Sequence, residues 1–182
     1  MYGIVGKRSA AIVLSVIAAS MAVAGCDSDA ASADVRPSLR YRMDAARGRL
    51  WALTKDGVEL YDAATRRKVA QIALPGWIWV GEPYSCPPVL AVGPGGEALI
   101  SSNVIPTLWR IDPITLEVSK HEPVLDEDEG KDIGFTELAY SARQGAYFAV
   151  SAMHGSRWRI DPLLQRAQNQ HSEYVRSGYC ES

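Results

Sequence analysis

Leu108-Trp109-Arg110-Ile111-Asp112-Pro113 and Arg157-Trp158-Arg159-Ile160-Asp161-Pro162 share the run Trp-Arg-Ile-Asp-Pro unchanged, 49 residues apart. An earlier segment, Val58-Glu59-Leu60-Tyr61-Asp62, ends on an aspartate 50 residues before Asp112. Each segment follows a run opened by glycine: Gly48-Arg49-Leu50-Trp51-Ala52-Leu53-Thr54, Gly96-Glu97-Ala98-Leu99-Ile100-Ser101-Ser102 and Gly145-Ala146-Tyr147-Phe148-Ala149-Val150-Ser151. Self-similarity at such a fixed period is the mark of a repeat architecture.

Each unit reads as four short strands. In the first they fall at Arg40–Asp44, Arg49–Thr54, Val58–Asp62 and Lys68–Leu74, with a tight turn at Lys55-Asp56-Gly57. β-Branched, leucine and aromatic residues fill the strands, and Gly, Asp and Pro punctuate them. Asp62 and Thr65 flank a turn in which the carboxylate can accept backbone N–H bonds. No helical period appears beyond residue 26, so the class is all-β. Four-stranded antiparallel units at this spacing are propeller blades, expected at about 40–75, 88–123 and 135–170 with a closing tail at 171–182.

The stretch Leu60-Tyr61-Asp62-Ala63-Ala64-Thr65-Arg66-Arg67-Lys68-Val69-Ala70-Gln71-Ile72-Ala73-Leu74-Pro75-Gly76 resembles the repeat of YVTN-type β-propellers. The Ile-Asp-Pro turns at 111–113 and 160–162 look like the same element. This likeness, at the level of repeats over 40–170, implies a fold and says little about chemistry. Three blades fall short of the smallest ordinary closed ring, which has about four. An arc closed by its own termini, a ring of six blades completed by a homodimer, and a fourth blade partly supplied by the tail and the first strand all remain open.

At the N-terminus, Lys7 and Arg8 precede an uninterrupted apolar and small-residue run from Ser9 to Gly25, ending in Val23-Ala24-Gly25-Cys26. A basic start, an apolar middle and a small-residue end describe a secretory signal. The tetrapeptide resembles the lipobox of bacterial lipoproteins. The resemblance implies cleavage before Cys26, a diacylglycerol on its sulfur, and a working chain outside the cytoplasm that is tethered to a membrane. An ordinary cleaved signal and a retained anchor are the alternatives, although the run from Ser9 to Gly25 sits at the lower length limit for a span. Asp27 is similar to the residue that keeps enteric lipoproteins in the inner membrane; the outer membrane is the other destination. The organisation expected is a signal over 1–25, a lipidated cysteine and polar tether over 26–39, and one repeat domain over 40–182.

Net charge is −2, so no bulk field draws the chain to nucleic acid, and no basic stripe with interleaved aromatics appears. Cys86 and Cys180 remain once Cys26 is committed to lipid. In an oxidising compartment they suggest one disulfide, closing a loop of roughly 95 residues and stabilising by on the order of 4 kcal/mol. Two separate buried thiols are the alternative.

Propeller geometry puts the turn between strands two and three at the same end as the inter-blade connections. That gathers Trp77, Trp79 and Tyr84 of the loop Pro75–Pro87, the loop Pro123–Phe135, and turns around Asn103 and His154. An aromatic trio beside an acidic stretch could hold a sugar, a cation or a segment of a partner, or could simply cover the end of the stack as core. Asp126, Asp128, Asp132 and Glu137 occupy four of the positions of a calcium loop, and Ca²⁺ is the one cofactor they suggest. Lys131 stands where that loop turns on glycine, which favours a solvated acidic loop. His121, His154 and His171 are scattered, and no nucleophile elbow, zinc-protease, P-loop or dinucleotide motif occurs. Positions matching Asn103 are Lys55 or Asp56 and Met153 or His154, so the repeats supply no common ligand for a central metal. The reading is a non-catalytic binding or scaffold lipoprotein engaging a periplasmic protein or small ligand. The alternative is an accessory or catalytic component of a periplasmic dehydrogenase- or lactonase-like propeller system.

Overall fold

The computed structural model describes residues 40–79, 87–126, 134–151 and 155–170. Cys26, Tyr84, Cys86, Asp128, Asp132, His154 and Cys180 lie outside them, as do the signal, the tether and the tail. The first unit of the chain, Met1–Val35, lies wholly outside; everything below belongs to the second, Arg36–Ser182.

Thirteen strands occur among the described residues, and no helix. The first sheet holds β1 (Arg40–Asp44), β2 (Arg49–Thr54), β3 (Gly57–Asp62) and β4 (Lys68–Ile72) in that order. The second holds β5 (Val89–Val92), β6 (Ala98–Ser101), β7 (Leu108–Ile111) and β8 (Val118–His121). The third runs β10 (Phe135–Ser141), β11 (Ala146–Ser151), β12 (Arg157–Ile160), β13 (Arg166–Asn169), then β9 (Val124–Leu125). All neighbours are antiparallel except β9, which lies parallel to β13. Each meander follows from a tight turn. Gly57, at φ +124°, closes the first of them, and a Cβ there would collide with the Ile72 carbonyl.

One expectation changes. Val124 and Leu125, assigned above to a loop between blades, form a fifth strand on the outer edge of the third sheet. Val124 N–H donates to Gln165 O at 2.8 Å, and Asp126 N–H to Ala167 O at 3.2 Å.

The middle sheet is apolar on both faces. Val89, Ala91, Leu99 and Leu108 pack with Phe135, Leu138, Tyr147, Ala149, Trp158 and Ile160 of the third sheet. The residues that alternate with them, Leu90, Ala98, Ile100, Trp109 and Ile111, pack with Trp51, Leu53, Val58, Leu60 and Ile72 of the first. The alternation is the period of two of a strand, so one sheet feeds two cores. Inner strands β1 and β10 both lie against β5.

The Asp turns form as the sequence predicts. Asp62 Oδ1 accepts the Thr65 N–H at 2.7 Å and the Thr65 hydroxyl at 2.7 Å. Asp112 Oδ1 accepts the N–H groups of Ile114 at 2.7 Å and Thr115 at 2.8 Å. The third repeat lacks the threonine; there Asp161 instead accepts from Leu163, Gln165 and Arg166. Each turn carries a left-handed residue: Arg66, Leu116 and Leu164 have φ of 58°, 61° and 60°. Leu164 is buried in the core between the second and third sheets, so packing offsets the backbone strain there.

Trp51 is 0% exposed and its indole nitrogen has no hydrogen-bond partner, whereas Trp109 Nε1–H donates to Pro75 O at 2.9 Å. Trp51→Phe is therefore expected to cost less stability than Trp109→Phe by about 1 kcal/mol in urea titrations, the net worth of one hydrogen bond. Thr65 and the backbone donors at Thr115 and Ile114 hold the carboxyls of Asp62 and Asp112 below the usual carboxylate range. A depressed carboxyl contributes stability that is present above its unfolded pKa and lost as pH falls through the folded one. The melting temperature should fall on acidification below about pH 4, and the Asp62→Asn, Asp112→Asn double variant should show a flatter decline.

Candidate functional site

The end of the sheets carrying the β2–β3 and β6–β7 turns also receives the chain as it passes between blades. Trp77, on the segment after β4, donates its Nε1–H to Lys55 O in the β2–β3 turn at 3.0 Å. Its ring meets Trp109 edge to face, with centroids 5.3 Å apart and planes at 82°. On the far side, Phe135 N–H donates to Ser102 O at 2.9 Å. A Cβ on Gly134 would collide with the Asn103 carbonyl, so the entry to the third blade lies directly on the β6–β7 turn. Trp77 and the turn at Asn103, two of the predicted neighbours, are thus both at this end.

Several polar side chains at this end tie its turns together. Ser101 Oγ–H donates to Ser102 O at 2.9 Å, and Ser102 Oγ accepts Val104 N–H at 3.1 Å and Ile105 N–H at 3.3 Å. Thr54 Oγ1–H donates to Gly57 O at 3.0 Å, and Trp158 Nε1–H to Ser156 Oγ at 2.9 Å. Asn103, Thr107 and Ser151 are buried with them. Among the described residues at this end, Ile78, between Trp77 and Trp79, is 73% exposed, Ile105, Lys55 and Asp56 are exposed, and Trp79 is half-buried.

Of the four carboxylates proposed for calcium, Asp126 and Glu137 lie among the described residues, and these two stand apart. Asp126 Oδ1 accepts Asn169 N–H at 2.9 Å, fastening the end of β9 to β13. Glu137 lies exposed on β10, at the opposite edge of the same sheet. Four inter-strand steps separate β9 from β10, roughly 19 Å, whereas two oxygens on one calcium, each about 2.3–2.6 Å from it, stand within about 5 Å of each other. One ion cannot take both, because β9 is the outer edge of the sheet and β10 the inner. Among the described residues no three Asp, Glu, His or Cys side chains are grouped as a metal would need.

The opposite end holds a buried polar cluster that strand-by-strand reading does not expose. Glu97, at the start of β6, is buried; its Oε1 accepts the Tyr147 hydroxyl at 2.8 Å and lies 3.7 Å from Arg110 Nη2. Gly93 gives it room, since a Cβ there would strike the carboxylate. Burial, and then the bond to Glu97, push the Tyr147 hydroxyl well above the usual phenol range. The repeat position of Glu97 is Arg49 in the first blade, whose guanidinium donates to Pro113 O of the second. It is Ala146 in the third. Each of the two blade junctions therefore has a polar latch at this position, of different chemistry. Asp44 and Arg47 add an ion pair at 3.3 Å nearby on the first blade.

No protein-family model matches the chain. No curated protein matches it by sequence. Solved structures do match. Dihydro-heme d1 dehydrogenase NirN in complex with DHE is 15% identical with a TM-score of 0.51, covering 70% of this chain and 26% of that one. Hydrazine synthase from Kuenenia stuttgartiensis is 14% identical with a TM-score of 0.55, covering 79% of this chain and 37% of that one. A protein of unknown function from Bacteroides thetaiotaomicron is 14% identical at 0.50, covering 71% and 32%. The first two are β-propeller proteins, and this chain spans well under half the length of each. The three sheets are three blades of a partial β-propeller.

Tyr147→Phe removes the hydroxyl that satisfies buried Glu97 and is expected to cost about 1–3 kcal/mol in urea unfolding. Combining it with Glu97→Leu should cost less than the sum of the two single changes, which a double-mutant cycle measures.

Proposed function

We propose that this chain is a membrane-tethered, periplasm-facing lipoprotein. Its propeller segment serves as a non-catalytic binding or scaffold module that receives a partner against the loop end. The tether rests on the sequence Val23-Ala24-Gly25-Cys26 after an apolar run. The binding role rests on one observation: hydrogen bonds from the serines, Thr54 and Trp77 at the loop end hold turns together, while Ile78 projects into solvent between two tryptophans. An exposed branched side chain framed by aromatics offers apolar contact area, the kind that anchors a protein surface. Trp77 supports that surface from below through Trp109, and the outward groups are Ile78 and Trp79.

Two measurements test this reading. The intact mass of the chain extracted from host membranes should be that of residues 26–182 plus a diacylglycerol; a chain retaining residues 1–25 refutes the lipid anchor. Cross-linking in envelope membranes should give an adduct that the Ile78→Asp, Trp79→Ala variant loses while its melting temperature stays within a few degrees of wild type. An undiminished adduct removes the loop end from consideration.

A further inference from the structure

Charge is unevenly shared between the blades. Lys and Arg outnumber Asp and Glu by eight to four over residues 40–79, and are outnumbered two to five over 87–126. The excess in the first blade gathers at the end that carries its Asp turn. There the turns at 45–48 and 62–67 are joined by Ala63 N–H, which donates to Gly48 O at 2.8 Å. Arg47, Arg66, Arg67 and Lys68 therefore lie on neighbouring turns. Arg47 is held by Asp44 and Lys68 by Glu59. Arg66 and Arg67 are exposed, and their guanidinium groups meet no acceptor among the described residues.

The matching turns of the other two blades present apolar groups. Ile114 and Leu163 each stand two residues after the repeat aspartate, and they are 80% and 63% exposed. Arg49 donates its guanidinium to Pro113 O, so the second blade's turn abuts the base of the first. The carboxylates of Asp62, Asp112 and Asp161 accept N–H groups of their own turns and are engaged there. Glu117, exposed on the second turn, is of opposite sign, so the positive patch centres on the first blade. Guanidinium groups beside exposed branched aliphatics suit a surface of anionic headgroups over hydrocarbon. The cations meet phosphate, and the apolar side chains enter the boundary below.

We propose that the Asp-turn end of the blades rests on an anionic phospholipid surface, with Arg66 and Arg67 on headgroup phosphates and Ile114 and Leu163 at the acyl boundary. The contact rests on the lipid anchor at Cys26 put forward above. Arg40 stands 14 positions after Cys26. An anchored chain therefore keeps the start of the first blade within about 50 Å of the bilayer by any path, at about 3.6 Å per residue. A six-residue strand spans about 20 Å, so the far end of the blade is also within reach. Lipid is thus the neighbour always at hand, and the basic turns are the part of the domain whose charge suits it. The loop end, with Ile78 and Trp79, then faces away from the bilayer and stays open to a partner.

The test is hydroxyl-radical labelling of the full chain in vesicles of phosphatidylcholine, with and without about one-third phosphatidylglycerol. Labelling reads side-chain exposure, and the intact mass of the same sample reads the anchor. Ile114 and Leu163 should label at least about threefold less in the anionic vesicles, with Ile78 unchanged. Salt at about 1 M, where the Debye length is about 3 Å, should reverse most of that difference. The Arg66→Glu, Arg67→Glu variant, folded by circular dichroism, should label equally in both vesicles, and Arg66→Lys, Arg67→Lys should behave as wild type. Equal labelling of wild type in the two vesicles overturns the proposal: if high, the face is open, and if low, protein covers it. Protection that survives in the folded double Glu variant overturns it as well. A mass lacking the diacylglycerol refutes the anchor alone, because the two vesicles report the contact in either case.

Discussion

The middle sheet is buried on both sides, and the rest of the chain is arranged around that constraint. A strand sheet that faces two neighbours has no solvent side, so its sequence cannot alternate apolar with polar; Val89-Leu90-Ala91 and Ala98-Leu99-Ile100 are continuous for this reason. Its two neighbours each give one face to these cores. Their other faces carry Glu59 and Tyr61 on one, Arg157 and Arg159 on the other. The polar latches follow from the same geometry. Arg49 and Glu97 sit at strand starts, where the apolar contact thins out, and reach across to the next blade. Glu97 in particular is tolerable in a buried position because Tyr147 and Arg110 arrive from two other strands.

The loop end is subordinate to this stack. Trp77 and Trp158 donate their indole hydrogens to turns at that end, and Trp109 donates to Pro75, so the large rings fill the cores while their polar tips fix the connections. Such a surface is rigid where it touches the sheets. Variation in recognition would then fall on the residues standing clear of them, Ile78 and Trp79.

Local features of this fold are legible in the sequence because local chemistry sets them. The Asp turns announce themselves through aspartate, proline and threonine at fixed spacing, and the strand boundaries follow from the glycines and the apolar runs. The repeat period adds the blade count. What stays hidden is set at long range. Val124 and Leu125 form a strand only because β13 offers a free edge, and nothing in two residues after a proline signals that. Glu97 and Tyr147 are 50 residues apart and each looks like an ordinary strand position; only the stacking of blades makes them partners. Asp126 and Glu137 err in the opposite sense. Their spacing suits a cation loop, yet the path of the chain carries them to opposite edges of one sheet. Trp77 is conspicuous as an aromatic, but choosing between ligand platform and packing requires the position of Trp109.

The parallel strand β9 carries a kinetic consequence. It leaves the second blade before any of the third has been synthesised, yet its partner is the last described strand of the chain, with Val124 opposite Arg166. A growing polypeptide must hold this short edge unmatched while β10, β11 and β12 emerge, and only the arrival of β13 completes the third blade. Pairing across so long a separation closes late, since the entropy of the intervening loop is lost before the contact forms. A ribosome that stops short of Arg166 would release a product whose outer edge is bare and open to foreign strands.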